Sequence, residues 1–439
     1  MVTQPSAESA GAAGTAGPVK ASGASSTAAA TARSGPERTR GERGAAEVDG
    51  GPGGLGGTDG TDGTGVDRGR RPAVGLDRVS VNGALVDVVA RSGTAPAVLG
   101  ADGVRRGLVL GGGGMLGAAW TIGALCAIEE STGWQPGRAE VILGTSAGSI
   151  LGTMLAAGVR AEELRDHQRG LPIRTGPLAG VEFDYDTAVG GALPPRPRPG
   201  IGSPGLLRDA VRHPREYPFL TMVSAVVPTG RGSVAPVGEL VRGLVDEDGW
   251  PLGSGLRVAA VDYRTGRRVV FGDPDAPEAD VAQAVMASCA IPGWFAPVDV
   301  AGSPYVDGGC WSATNADLMA ERELDEVYVL APMALRPAWA GPARVDAGRG
   351  TVAALREWRD RDRPKGVLAQ LVSRYRRAVT RQMLREARRL RDSGVRVRLL
   401  APTLEDLAVM GPNMMDPARR PEVLETALRT SRSALTAVR

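Results

Sequence analysis

Between residues 105 and 335 the apolar positions fall into two alternating kinds of run. Short unbroken runs, at residues 107–110 in "RRGLVLGGGG" and again in "AEVILGTSAG", read as strands buried on both faces. Each meets glycines and then a longer stretch with helical spacing. After the first run, Trp120, Ile122, Ala124, Leu125 and Ile128 predict a helix; after the second, a helix ends near Gly158. Strand, helix, strand, helix at this spacing implies parallel strands with right-handed crossovers, hence an α/β layer fold. Further strands are predicted at "LRVAAVDY", "RRVVFG", "SPYVDGG" and "DEVYVLAPM". The stretch "GGALPPRPRPGIGSPG" breaks the pattern. Its prolines argue against helix and central strand, so a surface excursion over about 190–218, a candidate lid segment, is predicted.

The flanks differ in character. Residues 1–75 carry no aromatic side chain, and the first in the chain is Trp120, so this tail cannot bury enough apolar area and reads as disordered. Residues 76–104 form a weakly structured lead-in, where the Asn-Gly pair of "VSVNGALVDVV" suits a small hairpin. Residues 336–439 read as a helical extension with one further strand, "VRVRLLAPT", and a closing helix, "PEVLETALRTSRSAL". Within it, residues 367–392 place Leu368, Leu371, Val372, Tyr375, Val379, Met383, Ala387 and Leu390 on one helical face. Arg374, Arg376, Arg377, Arg381, Arg385, Arg388, Arg389 and Arg391 fill the other. That second face suits anionic lipid, or is an ordinary solvated face.

A net charge of +3 over 439 residues gives no electrostatic footprint for nucleic acid. Cys126, Cys289 and Cys310 are odd in number and widely spaced, which argues against a disulfide framework or a zinc site and fits a reducing compartment. No secretory signal opens the chain and no run of 18 apolar residues occurs, so a cytoplasmic protein is expected.

Two glycine-rich turns, each after a strand and before a helix, put backbone N–H groups at one edge of a parallel sheet, where ligands bind. "GGGG" at 111–114 suits a phosphate or an oxyanion equally. The first is disfavoured, because Gly-Met-Leu-Gly-Ala stands where a P-loop needs G-K-[ST], and "VILGTSAG" lacks the acidic residue of a dinucleotide site. Gly144, Ser146 and Gly148 make a G-x-S-x-G pattern, the mark of a nucleophile on a tight turn, though 62 glycines weaken the pattern taken alone. A histidine base would follow the serine and the acid in the order of α/β-hydrolases. His167 and His213 are the only histidines, so a histidine triad does not fit. Asp307, followed by Gly308 and Gly309, remains as a candidate base; it would serve if it were desolvated and within reach of the serine. "DGG" is also an ordinary turn after a strand.

Taken in order, "GLVLGGGGMLG", "GTSAGS" and "ASCAIPGWFAPVDVAGSPYVDGG" resemble the patatin-like phospholipases over about residues 105–335. The resemblance implies a three-layer α/β/α fold with a mainly parallel central sheet. It implies Ser146 as nucleophile, Asp307 as base, and amides around Gly112, Gly113 and Gly114 as the oxyanion hole, with no metal or organic cofactor. The implied function is a serine acyl hydrolase acting on carboxylic esters of lipids. The alternative is a catalytically weak lipid-binding or regulatory protein, since Leu116 stands where family members often carry Arg or Lys. Met410, Met414 and Met415 are candidates for an acyl pocket or for packing.

Overall fold

The computed structural model describes residues 77–81, 84–88, 103–181, 183, 195–245, 249–251, 253, 255–335 and 367–436. The expected disordered tail, 1–75, lies outside them. Two strands, Asp77–Val81 (β1) and Ala84–Val88 (β2), form a two-stranded sheet of their own.

The central sheet has eight strands. Arg106–Leu110 (β3), Val141–Thr145 (β4), Leu256–Asp262 (β5) and Glu326–Leu330 (β9) are its middle, and Arg396–Leu400 (β10) is one edge. These five run parallel in the order β10-β9-β3-β4-β5. Arg268–Phe271 (β6), Val298–Val300 (β7) and Ser303–Asp307 (β8) complete it, with β6 and β8 both antiparallel to β5. The sheet is therefore mainly parallel, as its apolar runs imply.

Period-two alternation divides each strand between two buried faces. Leu108, Leu110, Ile142, Val258 and Tyr328 join one core with the helices Gly114–Thr132 (α1), Ala147–Ala156 (α2) and Val281–Cys289 (α7). Val109, Leu143, Ala259, Val327 and Val329 face the opposite side, where Met319 and Leu390 cover them. Leu390 belongs to the helix Val367–Asp392 (α8), so helices cover both faces in three layers. Between these elements lie Ala161–Gln168 (α3), Pro204–Arg212 (α4), Phe219–Val226 (α5) and Ala235–Arg242 (α6). Leu404–Met410 (α9) and Arg420–Thr436 (α10) close the chain.

Two expectations need correction. Helix α4 lies inside the predicted proline-rich excursion, and begins at Pro204. Its missing N–H is no loss at a first helical position, and Ser203 caps the turn by accepting from the Leu206 N–H at 3.3 Å. The arginines of α8 do not all face outward either, because Arg376 is buried.

The C-terminal segment is built into the layers. β10 extends the sheet in parallel with β9, and α10 packs along α1 through Leu424, Ala427 and Leu428. Sandwiched between sheet and α10, α1 is buried nearly all round from Met115 to Ile128 and has almost no polar face. Leu424→Ala is expected to cost about 3 kcal/mol, the usual loss for a leucine emptied from a core. Urea unfolding followed by circular dichroism checks this; an unchanged midpoint would mean that α10 is an appendage.

Candidate active site

β6 pairs with Val258–Val261 of β5, and a strand has only two edges. β4 pairs with Leu256–Ala259, while β8 pairs with Ala260–Asp262. Both must therefore lie along the edge of β5 opposite β6, and since one is parallel and the other antiparallel, they run toward each other. Thr145 ends opposite Ala259, and Asp307 ends opposite Ala260. Ser146, the next residue of one chain, is thus delivered to Asp307, the last residue of the other strand.

Ser146 occupies the turn between β4 and α2, with φ 54° and ψ −129°. A residue with a side chain is strained at positive φ, so neighbours must hold it there. The Ser146 N–H donates to Ser288 Oγ at 2.9 Å, and that hydroxyl donates to the Ala259 carbonyl at 2.7 Å. Ser149 Oγ donates to the Ser146 carbonyl at 2.6 Å. The turn is tight enough that a Cβ on Gly148 would strike the Leu110 carbonyl, and one on Gly144 would strike Ser149. Small residues flank the serine because α2 folds back directly on the sheet.

Asp307 is 5% exposed. One carboxylate oxygen accepts from the Gly309 N–H at 2.7 Å, and its own N–H donates to the Ala290 carbonyl at 3.0 Å. A Cβ on Gly308 would strike the Ala259 carbonyl, so the chain can turn beside β5 only without one. Burial pushes the carboxyl up to about 6, and the neighbouring Ser146 hydroxyl and Gly309 N–H, which favour the charged form, offset part of the rise. Burial also drives the thiols of Cys289 and Cys310, both close to Asp307, far above their ordinary range, so neither is poised as a thiolate.

The glycine-rich turn crosses in front of Ser146: a Cβ on Gly112 would lie 3.0 Å from Ser146 Cβ. The Gly112 N–H donates to the Ala313 carbonyl at 2.8 Å, which removes it from the expected set of anion donors. No partner binds the N–H groups of Gly113 and Gly114 among the described residues. Gly114 has φ +60°, and opens α1. Ala147, just after the serine, opens α2, and its N–H likewise has no partner among the described residues. The sequence reading did not single out this amide, although its place at a helix N-terminus after the serine was visible.

Ser146, Ala147 and Gly114 share the wall of a mostly apolar cavity with Ile122, Met154 and Phe295. Met415 also lines it, whereas Met410 and Met414 sit against Arg376. His167 lies on α3 with Nε2 3.1 Å from the Val181 carbonyl, and His213 is exposed beside Glu216. Neither lines the cavity.

Residues 108–320 match the family model described as patatin-like phospholipase. The chain contains a patatin-like phospholipase domain. At the level of the family, this is the domain of a lipid acyl hydrolase. VipD from Legionella pneumophila is similar at 14% identity and a TM-score of 0.35, over 77% of this chain and 69% of that one. The type III effector protein ExoU is similar at 15% identity and a TM-score of 0.26, over 76% of this chain and 53% of that one. No curated protein matches the chain. No helix among the described residues is long and apolar enough to cross a membrane.

One further positioning residue of the patatin-like domain escaped the sequence reading. Asn315, fully buried with φ 52°, donates through Nδ2 to Thr145 Oγ1 at 3.1 Å, to the Gly308 carbonyl at 3.3 Å and to the Ser312 carbonyl at 2.7 Å. It joins the end of β4 to the turn after β8, its two N–H bonds shared among these three acceptors.

The raised Asp307 carboxyl has a consequence for stability. Below about pH 4 the residue is protonated folded or unfolded and its burial carries no charge penalty; between about pH 4 and 6 the unfolded chain gives up the proton that the folded state keeps, so stability falls across that window and levels off above it. Asp307→Asn is free of that penalty. Its unfolding free energy relative to wild type is expected to rise by about 3 kcal/mol between pH 4 and pH 7, the equivalent of two pKa units. Urea titrations across this range measure the difference, and a flat one would mean a solvated carboxylate.

Proposed function

We propose that the protein is a serine acyl hydrolase that cleaves carboxylic ester bonds of lipids, with Ser146 as nucleophile and Asp307 as its base. One observation carries the reading: a strained serine and a buried carboxylate are brought end to end by opposed strands, beside an apolar cavity able to take an acyl chain. Asp307 takes the hydroxyl proton as Ser146 Oγ bonds to the ester carbon, and the carbonyl electrons move onto oxygen. The amides of Gly113, Gly114 and Ala147 hold that oxyanion. Collapse expels the alcohol, which recovers the proton from Asp307 and leaves an acyl-serine. Water then attacks the acyl carbon as Asp307 accepts its proton, and collapse breaks the bond to Ser146 Oγ, which recovers that proton from Asp307 as the carboxylic acid leaves.

Desolvation makes an aspartate usable in this role, because a carboxyl near 6 is a stronger base than a free one and is still ionised at neutral pH. The lipid partner is also supported by α8, whose Arg374, Arg381 and Arg385 are exposed at helical spacing and suit a peripheral contact with anionic lipid at a cytoplasmic surface. No step requires a metal or an organic cofactor.

Ser146→Ala and Asp307→Asn are each expected to lower kcat/KM for a short-chain p-nitrophenyl ester by about 1,000-fold or more, and the double variant to be hardly worse, since the two act as one unit. His167→Ala and His213→Ala should stay near wild type. In the wild type, kcat/KM should rise tenfold per pH unit below about pH 6 and level off above it, as the base loses its proton. A histidine variant as inactive as Ser146→Ala, with Asp307→Asn active, would overturn the assignment. Absence of turnover in the wild type would favour a lipid-binding protein on the same scaffold.

A further inference from the structure

A buried guanidinium lies against the glycine-rich turn. Arg376, in the middle of α8, is 4% exposed, and no carboxylate pairs with it among the described residues. Its Nη1 donates to the Pro332 carbonyl at 3.1 Å; its Nη2 lies 3.0 Å from Met414 Sδ and 3.9 Å from Met410 Sδ. Burial pulls its pKa down to about 10, which leaves it a cation at neutral pH. A buried cation held, among the described residues, by a carbonyl and two thioethers is costly, and a methionine or leucine of similar volume would pack there at less expense to the fold. Stability does not explain an arginine at this place.

Its neighbours do. The Pro332 ring packs on the turn from one side: a Cβ on Gly113 would fall 2.9 Å from Pro332 Cγ, and one on Gly117 3.4 Å from Pro332 Cβ. Met414 holds the turn by another contact, its carbonyl accepting the Leu116 N–H at 3.0 Å and lying 3.2 Å from where a Gly114 Cβ would be. Arg376 therefore ties together the two segments that brace residues 113–117. The turn itself brings no charge, since Leu116 is apolar and fully buried.

We propose that Arg376 is a positioning residue for the anion-binding amides of Gly113 and Gly114, clamping Pro332 and Met414 against their turn and adding a fixed buried positive charge behind it. The proposal rests on the acyl-hydrolase reading above. A neutral ester gains little from that charge, whereas a tetrahedral oxyanion in a site poor in water gains more, so the effect falls on the transition state. The C-terminal segment, outside the family match, thereby becomes part of the catalytic apparatus.

The test compares full-length wild type, Arg376→Met and Arg376→Lys with a short-chain p-nitrophenyl ester and with an alkyl trifluoromethyl ketone, which forms an anionic hemiketal on the serine. For Arg376→Met, kcat should fall about 30-fold, less than on loss of a direct oxyanion donor, with KM within about threefold. Its Ki for the ketone should rise by the same factor as kcat falls, while its melting temperature is equal to or above that of wild type. Arg376→Lys, which keeps the charge and loses the fork, should recover part of both losses. Unchanged kcat in Arg376→Met would overturn the proposal. So would a fall in melting temperature with KM and kcat changing together and no recovery in Arg376→Lys, because that is the behaviour of a packing residue. An inactive wild type would instead overturn the acyl-hydrolase reading, and this proposal with it.

Discussion

One edge of β5 is shared by two strands that approach from opposite ends, and the site depends on how closely they meet. β4 stops at Ala259 and β8 at Ala260, adjacent residues of the strand they share. No loop has to be folded over the sheet to join Ser146 and Asp307; strand pairing fixes their separation. The glycines follow from this. The chains turn away from each other within van der Waals distance of β5 and of β3, so Gly148 and Gly308 can bear no Cβ. Ser288 holds the strained serine backbone, and Asn315 ties the two strand ends together from beneath.

The second constraint is dryness. Strands buried on both faces place Asp307 where water does not solvate it, and the same burial that raises its carboxyl toward neutrality puts an apolar cavity beside Ser146. The base proposed for Asp307 would need no imidazole, and the two histidines both lie away from the cavity. Burial extends to α8. Besides Arg376, this helix contributes Glu386, which accepts from Thr314 Oγ1 at 2.6 Å and from the Ala316 N–H at 3.0 Å, on either side of Asn315. The C-terminal segment thus supports the site at two points, the glycine-rich turn and the junction of the strands.

Much of this was legible in the sequence, for a physical reason. Strands buried on both faces must be short and apolar, so β3, β4, β5, β8 and β9 stand out, while the half-buried β6 and the edge strand β10 show as apolar residues after arginines; β7, with three residues, leaves no period to read. The turns around Ser146 and Asp307 showed themselves because close approach excludes every residue but glycine. The remaining features depend on tertiary partners. Which glycine amides are free was hidden, since the Gly112 N–H is taken by Ala313, two hundred residues along the chain by order of magnitude. Arg376 looked like one of eight surface arginines because helical spacing gives the face but not what packs on it. Asn315 carries no motif, as its role comes from acceptors on two segments, the end of β4 and the turn after β8, that meet only in the fold.

The most direct measurement is to locate the adduct of an alkyl fluorophosphonate by peptide mass mapping, with its rate of formation followed against pH. The expected result is a single adduct on Ser146, formed at a rate that climbs with pH to a plateau above about 6 in the wild type and is lost in Asp307→Asn. An adduct on another residue, or one on Ser146 that forms as fast without the Asp307 carboxylate, would contradict the assignment of these two residues as a catalytic pair.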